Sequence, residues 1–200
     1  MSKLNRDFYQ REDVLSISRE LLGKILCTNF DGKFTNGMIV ETEAYAGETD
    51  HASHAYGGRR TNRTETMYSP GGTAYVYLCY GIHHLFNVVT NAEDNPHAIL
   101  IRAIEPIKGI ESMLQRRNMV KICSNLTAGP GIMSQALGIS IYNSGISLLE
   151  KQIWIEDNDD PFDNFKIISS PRVGCSYAGT DANNPWRFRI EGNPWVSPAP

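Results

Sequence analysis

Two short turn signals constrain the fold of this chain more than any other feature. Asp31-Gly32 separates the β-rich runs 25–30 and 34–42, and Gly81-Ile82 separates 75–80 from 84–90. Strands joined this closely pair antiparallel, and glycine at the first central position suits the second turn. Further β-rich runs lie at 98–104, near Ile153, at 165–168 and at 187–191. Helical periodicity is confined to fewer places. Val14, Ile17, Leu21 and Ile25 mark one face of a helix over 12–25, about four turns long. A second helical pattern covers 107–120, and a short helix around 134–137 follows the Ala128-Gly129-Pro130-Gly131 turn. Strands outnumber helices, so the expected class is α+β around a mostly antiparallel sheet. Two hundred residues, 41% of them apolar, bury one core well, and a single domain over 1–200 is expected.

The net charge of −3 gives no bulk attraction for nucleic acid, so such a partner must meet a local basic face. Arg59, Arg60 and Arg63 form one basic cluster, and Lys108, Arg116, Arg117 and Lys121 form another. The acidic stretch from Glu150 through Glu156, Asp157, Asp159 and Asp160 to Asp163 offsets them in the total. Cys27, Cys79, Cys123 and Cys175 are scattered without a close pair, which fits reduced thiols rather than a disulfide framework. No signal-peptide core and no run long enough to span a bilayer is present, so a cytoplasmic protein without a membrane partner is expected.

The motif-bearing segment runs from Met38 to Glu105. If the second strand persists to Tyr45, alternation puts Glu41, Glu43 and Tyr45 on one wall, a carboxylate pair beside an aromatic ring. Glu43 on an edge strand could equally be a solvated glutamate. Half-buried, the pair would repel, and at least one pKa would rise. Residues 47–72 read as a long loop of the kind that carries sites. Within it, His54 suits the wall of a pocket, and Arg59, Arg60 and Arg63 with Thr61 and Asn62 suit contacts to phosphates, although a solvated loop is the plainer reading.

Tyr75, Tyr77 and Tyr80 fall inside six residues. Sheet packing accounts for Tyr75. Tyr77 and Tyr80 lie on opposite faces, so one can line a pocket while the other projects from the turn as a wedge into a base stack. Asn87, among apolar neighbours, needs its amide paired and can discriminate a ligand edge. Arg102, alone in an apolar strand, requires a buried anion, and a glutamate is the obvious one. His51, His54, Cys79, His83 and His84 could be assembled into a metal site, but they lack the paired spacing of a zinc motif. Carboxylates beside aromatics, a basic cluster and a tyrosine-tipped hairpin together point to chemistry on a nucleobase.

At these residues the chain resembles the alkyladenine (3-methyladenine) DNA glycosylase family. The resemblance runs through Arg19 to Lys24, the strand Val40 to Tyr45, His54 with Gly57-Gly58-Arg59, the segment Tyr75 to Gly81, Ile101-Arg102-Ala103, Leu126 to Pro130 and Gly192 to Ser197. It implies a compact α+β domain around a curved antiparallel sheet with a protruding hairpin. It implies a monofunctional enzyme that flips a damaged purine out of duplex DNA and hydrolyses its N-glycosidic bond without a cofactor, as a monomer. Glu43 resembles the family's general base, with Arg102 and the carbonyl of Val173 holding the water. Tyr45, His54 and Tyr77 resemble the stacking pocket and Asn87 a gate against the guanine 2-amino group. Tyr80 resembles the wedge, with apolar Ile82 where methionine is common, and Arg59, Thr61 and Arg63 match positions near the DNA backbone. Ile132 stands where many relatives carry lysine, which puts a phosphate contact there in doubt.

The chemistry agrees with this assignment. Glycosidic cleavage passes through an oxocarbenium-like state, which a nearby carboxylate stabilises while it activates water. No lysine adjoins Glu43, which argues against a Schiff-base lyase step. Two other classes remain open: a catalytically silent nucleic-acid-binding domain, which retention of Glu43 and Arg102 opposes, and a metal-dependent hydrolase built on the histidines.

Overall fold

A computed structural model describes residues 2–158 and 165–198; Asp159, Asp160 and Asp163 of the acidic stretch lie outside the described residues. Its centre is one long strand. The first hairpin forms as expected, with β1 (Ile25–Phe30) paired antiparallel to β2 (Lys33–Tyr45), and β2 continues through the whole acidic motif. One edge of β2 pairs with β5 (His97–Lys108). Its other edge is shared, β1 taking the first half and β8 (Arg187–Ile190) pairing with Glu41, Thr42 and Glu43. The second hairpin, β3 (Ala74–Cys79) and β4 (His83–Thr90), joins the sheet through β5. The order is β3-β4-β5-β2-β1-β6, with β6 (Ile153–Glu156) outside β1 and β7 (Ile167–Ser170) against β8. All these pairings are antiparallel, and the sheet curls around the main core in an α+β fold.

The two longer helices expected from periodicity are shorter. α1 is a single turn (Arg6–Tyr9), and α2 spans Val14–Glu20 rather than 12–25. Asp13 starts α2 by accepting hydrogen bonds from the amides of Leu15 and Ser16, and the chain leaves it through a turn at Leu21–Gly23. Val14, Ile17 and Leu21 are buried as the period requires, but Ile25 already belongs to β1. In the second case the strand β5 runs on through Pro106 to Lys108, and α3 covers only Ile110–Arg116. Gly109 separates them with φ 74°, a left-handed value that suits glycine. The short helix extends further than expected, as α4 (Pro130–Leu137). The two arginines of the second basic cluster are spent on this packing. Arg116 donates to Ala136 O and Arg117 to Gln135 Oε1, bracing α3 against α4.

Two irregularities in the β2–β5 ladder aim the site. Ile39 pairs with Ile104, Glu41 with Ala103 and Thr42 with Ile101, so Val40 on one strand and Arg102 on the other are extra residues. Such bulges re-aim a side chain. Here they bring Arg102 to the same side as Glu41 and Glu43 while Val40, Ala44, Ile101 and Ala103 stay in the core. No helix among the described residues is long and apolar enough to cross a membrane.

Candidate active site

A cleft of about 680 Å³ opens between the β2–β5 wall, the 47–72 loop, the second hairpin and the segment Val173–Tyr177. Glu43 forms its floor, with no side-chain surface reaching bulk solvent. Its carboxylate is held from three sides. Oε1 accepts from the Val173 amide at 2.8 Å and lies 3.2 Å from an Arg102 guanidinium nitrogen; Oε2 accepts from the Tyr45 hydroxyl at 2.9 Å. A carboxylate has about four lone-pair sites, so one remains for a further donor.

Glu41 plays a different part. It is also fully buried, and it accepts from Arg102 Nε at 2.7 Å, Arg187 Nε at 2.8 Å, and the Ser197 amide and hydroxyl at 2.6 and 2.9 Å. Burial opposes its ionisation, but Arg102, the Ser197 amide and Arg187 overcome this and hold its pKa below the ordinary value. At Glu41 the pair therefore does not produce the raised carboxyl pKa expected from two neighbouring acids. Arg102 stays charged for the reciprocal reason, Glu43 and Glu41 outweighing its burial.

The aromatic wall assembles from three elements. Tyr45 is backed by Arg172, whose guanidinium lies 4.8 Å from its ring centre and is fixed by Asp50 through both nitrogens. Burial, then the charge of Glu43, raises the Tyr45 pKa far above the usual phenol value, so its hydroxyl remains a donor. Tyr75 and Tyr77 lie side by side with ring centres 5.5 Å apart, and His54 meets Tyr77 edge-on at 4.6 Å. His54 Nδ1 is 2.9 Å from the Tyr75 hydroxyl. Burial, with help from Arg63 and Arg59, lowers the His54 pKa to about 4, so the ring is neutral near pH 7. Asn87 spends its NH₂ group on the carbonyls of Tyr75 and Leu85, each at 3.2 Å, and borders the cleft between them.

At the outer end of the cleft, Tyr80 is 91% exposed and Ile82 71%. Cys79 pairs with His83, so the loop has three residues, and the Ile82 amide returns to Cys79 O at 3.1 Å. The centre of the turn is therefore Tyr80-Gly81, with φ 51° and 74°, rather than Gly81-Ile82. A tyrosine in the left-handed region is strained, and such strain concentrates at functional tips.

Not every expected contact sits where the sequence implied. Arg59 and Thr61 are exposed on the loop, Thr61 donating its amide to Thr64 Oγ1 at 2.8 Å. Arg60 is committed to Glu65 and Asp94. Arg63 instead folds over the cleft, its guanidinium 5.0 Å from the Tyr77 ring centre. At Val173 the amide engages Glu43, while the carbonyl accepts from the Cys175 thiol at 3.7 Å. His51 pairs with Asp181 and stacks on Tyr56, and His84 accepts from the Ile141 amide. Among the described residues no cluster of three His, Cys, Asp or Glu side chains could hold a metal ion. The four cysteines are free thiols.

Sequence reasoning missed Arg187, Ser197, Asp50 and Tyr177, whose hydroxyl donates to Ala52 O at the cleft rim. Arg187 alone carried a usable signal, a lone cation between Trp186 and Phe188 like Arg102 between Ile101 and Ala103. A carboxylate floor under an aromatic cleft, with a strained tyrosine at its rim, is the setting in which comparison with known proteins becomes decisive. The model of the methylpurine-DNA glycosylase family matches residues 7–194. The chain belongs to that family. It is accordingly a DNA glycosylase, an enzyme that hydrolyses N-glycosyl bonds in DNA. Relatives named as 3-methyladenine DNA glycosylases include one from Clostridium perfringens, 44% identical over 98% of both chains, and one from Clostridium tetani, 45% identical over the same shares. A third, from Bacillus thuringiensis, is 45% identical over 95% of this chain and 96% of its own.

Proposed function

We propose that this glycosylase takes alkylated or deaminated purines, the class of 3-methyladenine, 7-methylguanine, hypoxanthine and ethenoadenine, out of duplex DNA and cuts their N-glycosidic bonds with a water activated by Glu43. The observation that carries this reading is the Glu43 carboxylate on the cleft floor, oriented by Tyr45, the Val173 amide and Arg102 with one lone-pair direction to spare. In the mechanism that spare direction accepts a proton from water. The Val173 carbonyl has a second lone pair available to the same water, and Arg102 holds the Glu43 carboxylate in place. Before that proton transfer the carboxylate stabilises positive charge developing at C1′.

Extrusion of the nucleotide costs a few kcal/mol, and stacking on aromatic rings returns about 1–3 kcal/mol per base. Tyr45, His54 and Tyr77 supply those surfaces, and Tyr80 with Ile82 fills the gap left in the helix. Asn87 acts as a gate at the guanine 2-amino edge, a penalty that 7-methylguanine overcomes because the cationic base leaves more readily. Arg59 and Thr61, exposed on the loop, face the backbone phosphates, contacts that position without reading sequence. The absence of lysine from the cleft lining, among the described residues, supports a hydrolytic enzyme without lyase chemistry.

The test is release of free purine from a duplex carrying one defined lesion, in excess chelator. The reading requires base release with the abasic strand left uncut. No release from any of the four lesions would overturn it, and loss of release on chelation would replace it with a metal-dependent reaction.

A further inference from the structure

Arg63 places a cation where an extruded base would stack. Its guanidinium lies 5.0 Å from the Tyr77 ring centre, and Nη2 is 3.3 Å from His54 Nε2. The hydrogen-bond pattern fixes the roles. Arginine only donates, so His54 Nε2 accepts and its Nδ1–H points to the Tyr75 hydroxyl at 2.9 Å. The side wall thus consists of a neutral imidazole, two uncharged phenols and one permanent cation. Like charge disfavours a cationic ring in this place, while a donor fork favours a neutral ring with an acceptor on its edge.

We propose that Arg63 is a specificity-determining residue that biases the pocket toward neutral purines with a ring-edge acceptor, of which hypoxanthine is the simplest, and against cationic alkylpurines. This rests on the proposed glycosylase reaction and deepens it by naming the favoured lesion charge. Two effects set the direction. A cationic purine on Tyr77 meets the guanidinium and competes with it for the electron-rich ring face. A deaminated purine presents O6 and N7 to the same donors. Arg63 is solvent-exposed on its loop, so screening keeps the bias moderate rather than absolute. The residue makes no contact with Glu43 among its recorded partners, so the bias is separable from the chemical step.

The experiment measures single-turnover release of hypoxanthine and of 7-methylguanine from otherwise identical duplexes by the native chain, Arg63→Gln and Arg63→Lys. The ratio of the two rates is the readout, because a fold defect or a lost phosphate contact slows both substrates together. The expected result is a roughly five- to tenfold fall in the hypoxanthine to 7-methylguanine ratio for Arg63→Gln, with Arg63→Lys between native and Arg63→Gln because it keeps the charge but not the planar donor fork. A ratio unchanged in Arg63→Gln overturns the charge filter and leaves Arg63 a phosphate contact. Release of neither base by the native chain overturns the glycosylase reaction itself, and the filter with it.

Discussion

Replacing Glu41 with glutamine removes a charge but little volume, and it separates the network behind the site from the site itself. In the native protein one buried carboxylate serves Arg102, Arg187 and the backbone and hydroxyl of Ser197. Arg102 and Arg187 have side chains 6% and 0% exposed, so neither can turn to water when the anion is lost. Glutamine also presents an NH₂ to a cluster that already consists of donors. Breaking a buried ion pair by removing one partner costs about 3–5 kcal/mol. For a chain of this length that corresponds to a fall in Tm of roughly 6–20 °C at 2–4 °C per kcal/mol. The Glu41 pKa is depressed in the folded state, so its contribution is complete above the ordinary carboxyl value of 4.5 and is lost as pH falls through the lower folded value. Urea titrations of native and Glu41→Gln chains across pH 3 to 7 therefore give a stability gap that is widest at neutral pH and closes in acid. A gap under about 1 kcal/mol at pH 7, or one of constant size down to pH 3, would refute the assignment of Glu41 as the charged anchor.

His54 supplies a second pH test: its ring should titrate near 4 by NMR, and a transition near 6.5 would show that the wall does not exclude the charged form. Tyr80→Ala should slow excision from duplex far more than from single-stranded substrate, since only a duplex has a stack to fill; equal losses on both would discredit the wedge.

Local sequence patterns show the parts of this architecture that local forces build. Alternation from Val40 to Tyr45 foretells which side chains share a wall, because the strand persists to Tyr45. The solitary Arg102 announces a buried acid, and it has two. What the sequence conceals arises from long-range pairing. The bulge at Arg102 depends on the register between strands some sixty residues apart, which no periodicity encodes. Ser197 closes on Glu41 from 156 residues away. Asp50 reads as one more polar residue of a loop until Arg172 arrives across 122 positions to pair with it. The helix ends depart from the apolar spacing for a related reason. Apolar spacing continues through Ile25 and Ile107, but sheet pairing claims both residues. Arg63 differs again: its loop composition suits phosphates, and only the fold brings it against Tyr77.

The most direct test of the account compares native and Glu43→Gln chains on one duplex with a single lesion, measuring excision in a single turnover and lesion affinity in parallel. Loss of the carboxylate leaves the shape of the floor intact but removes the proton acceptor and the negative charge near C1′, so excision should vanish while lesion binding persists. Equal excision rates for the two proteins would contradict the central role given to Glu43.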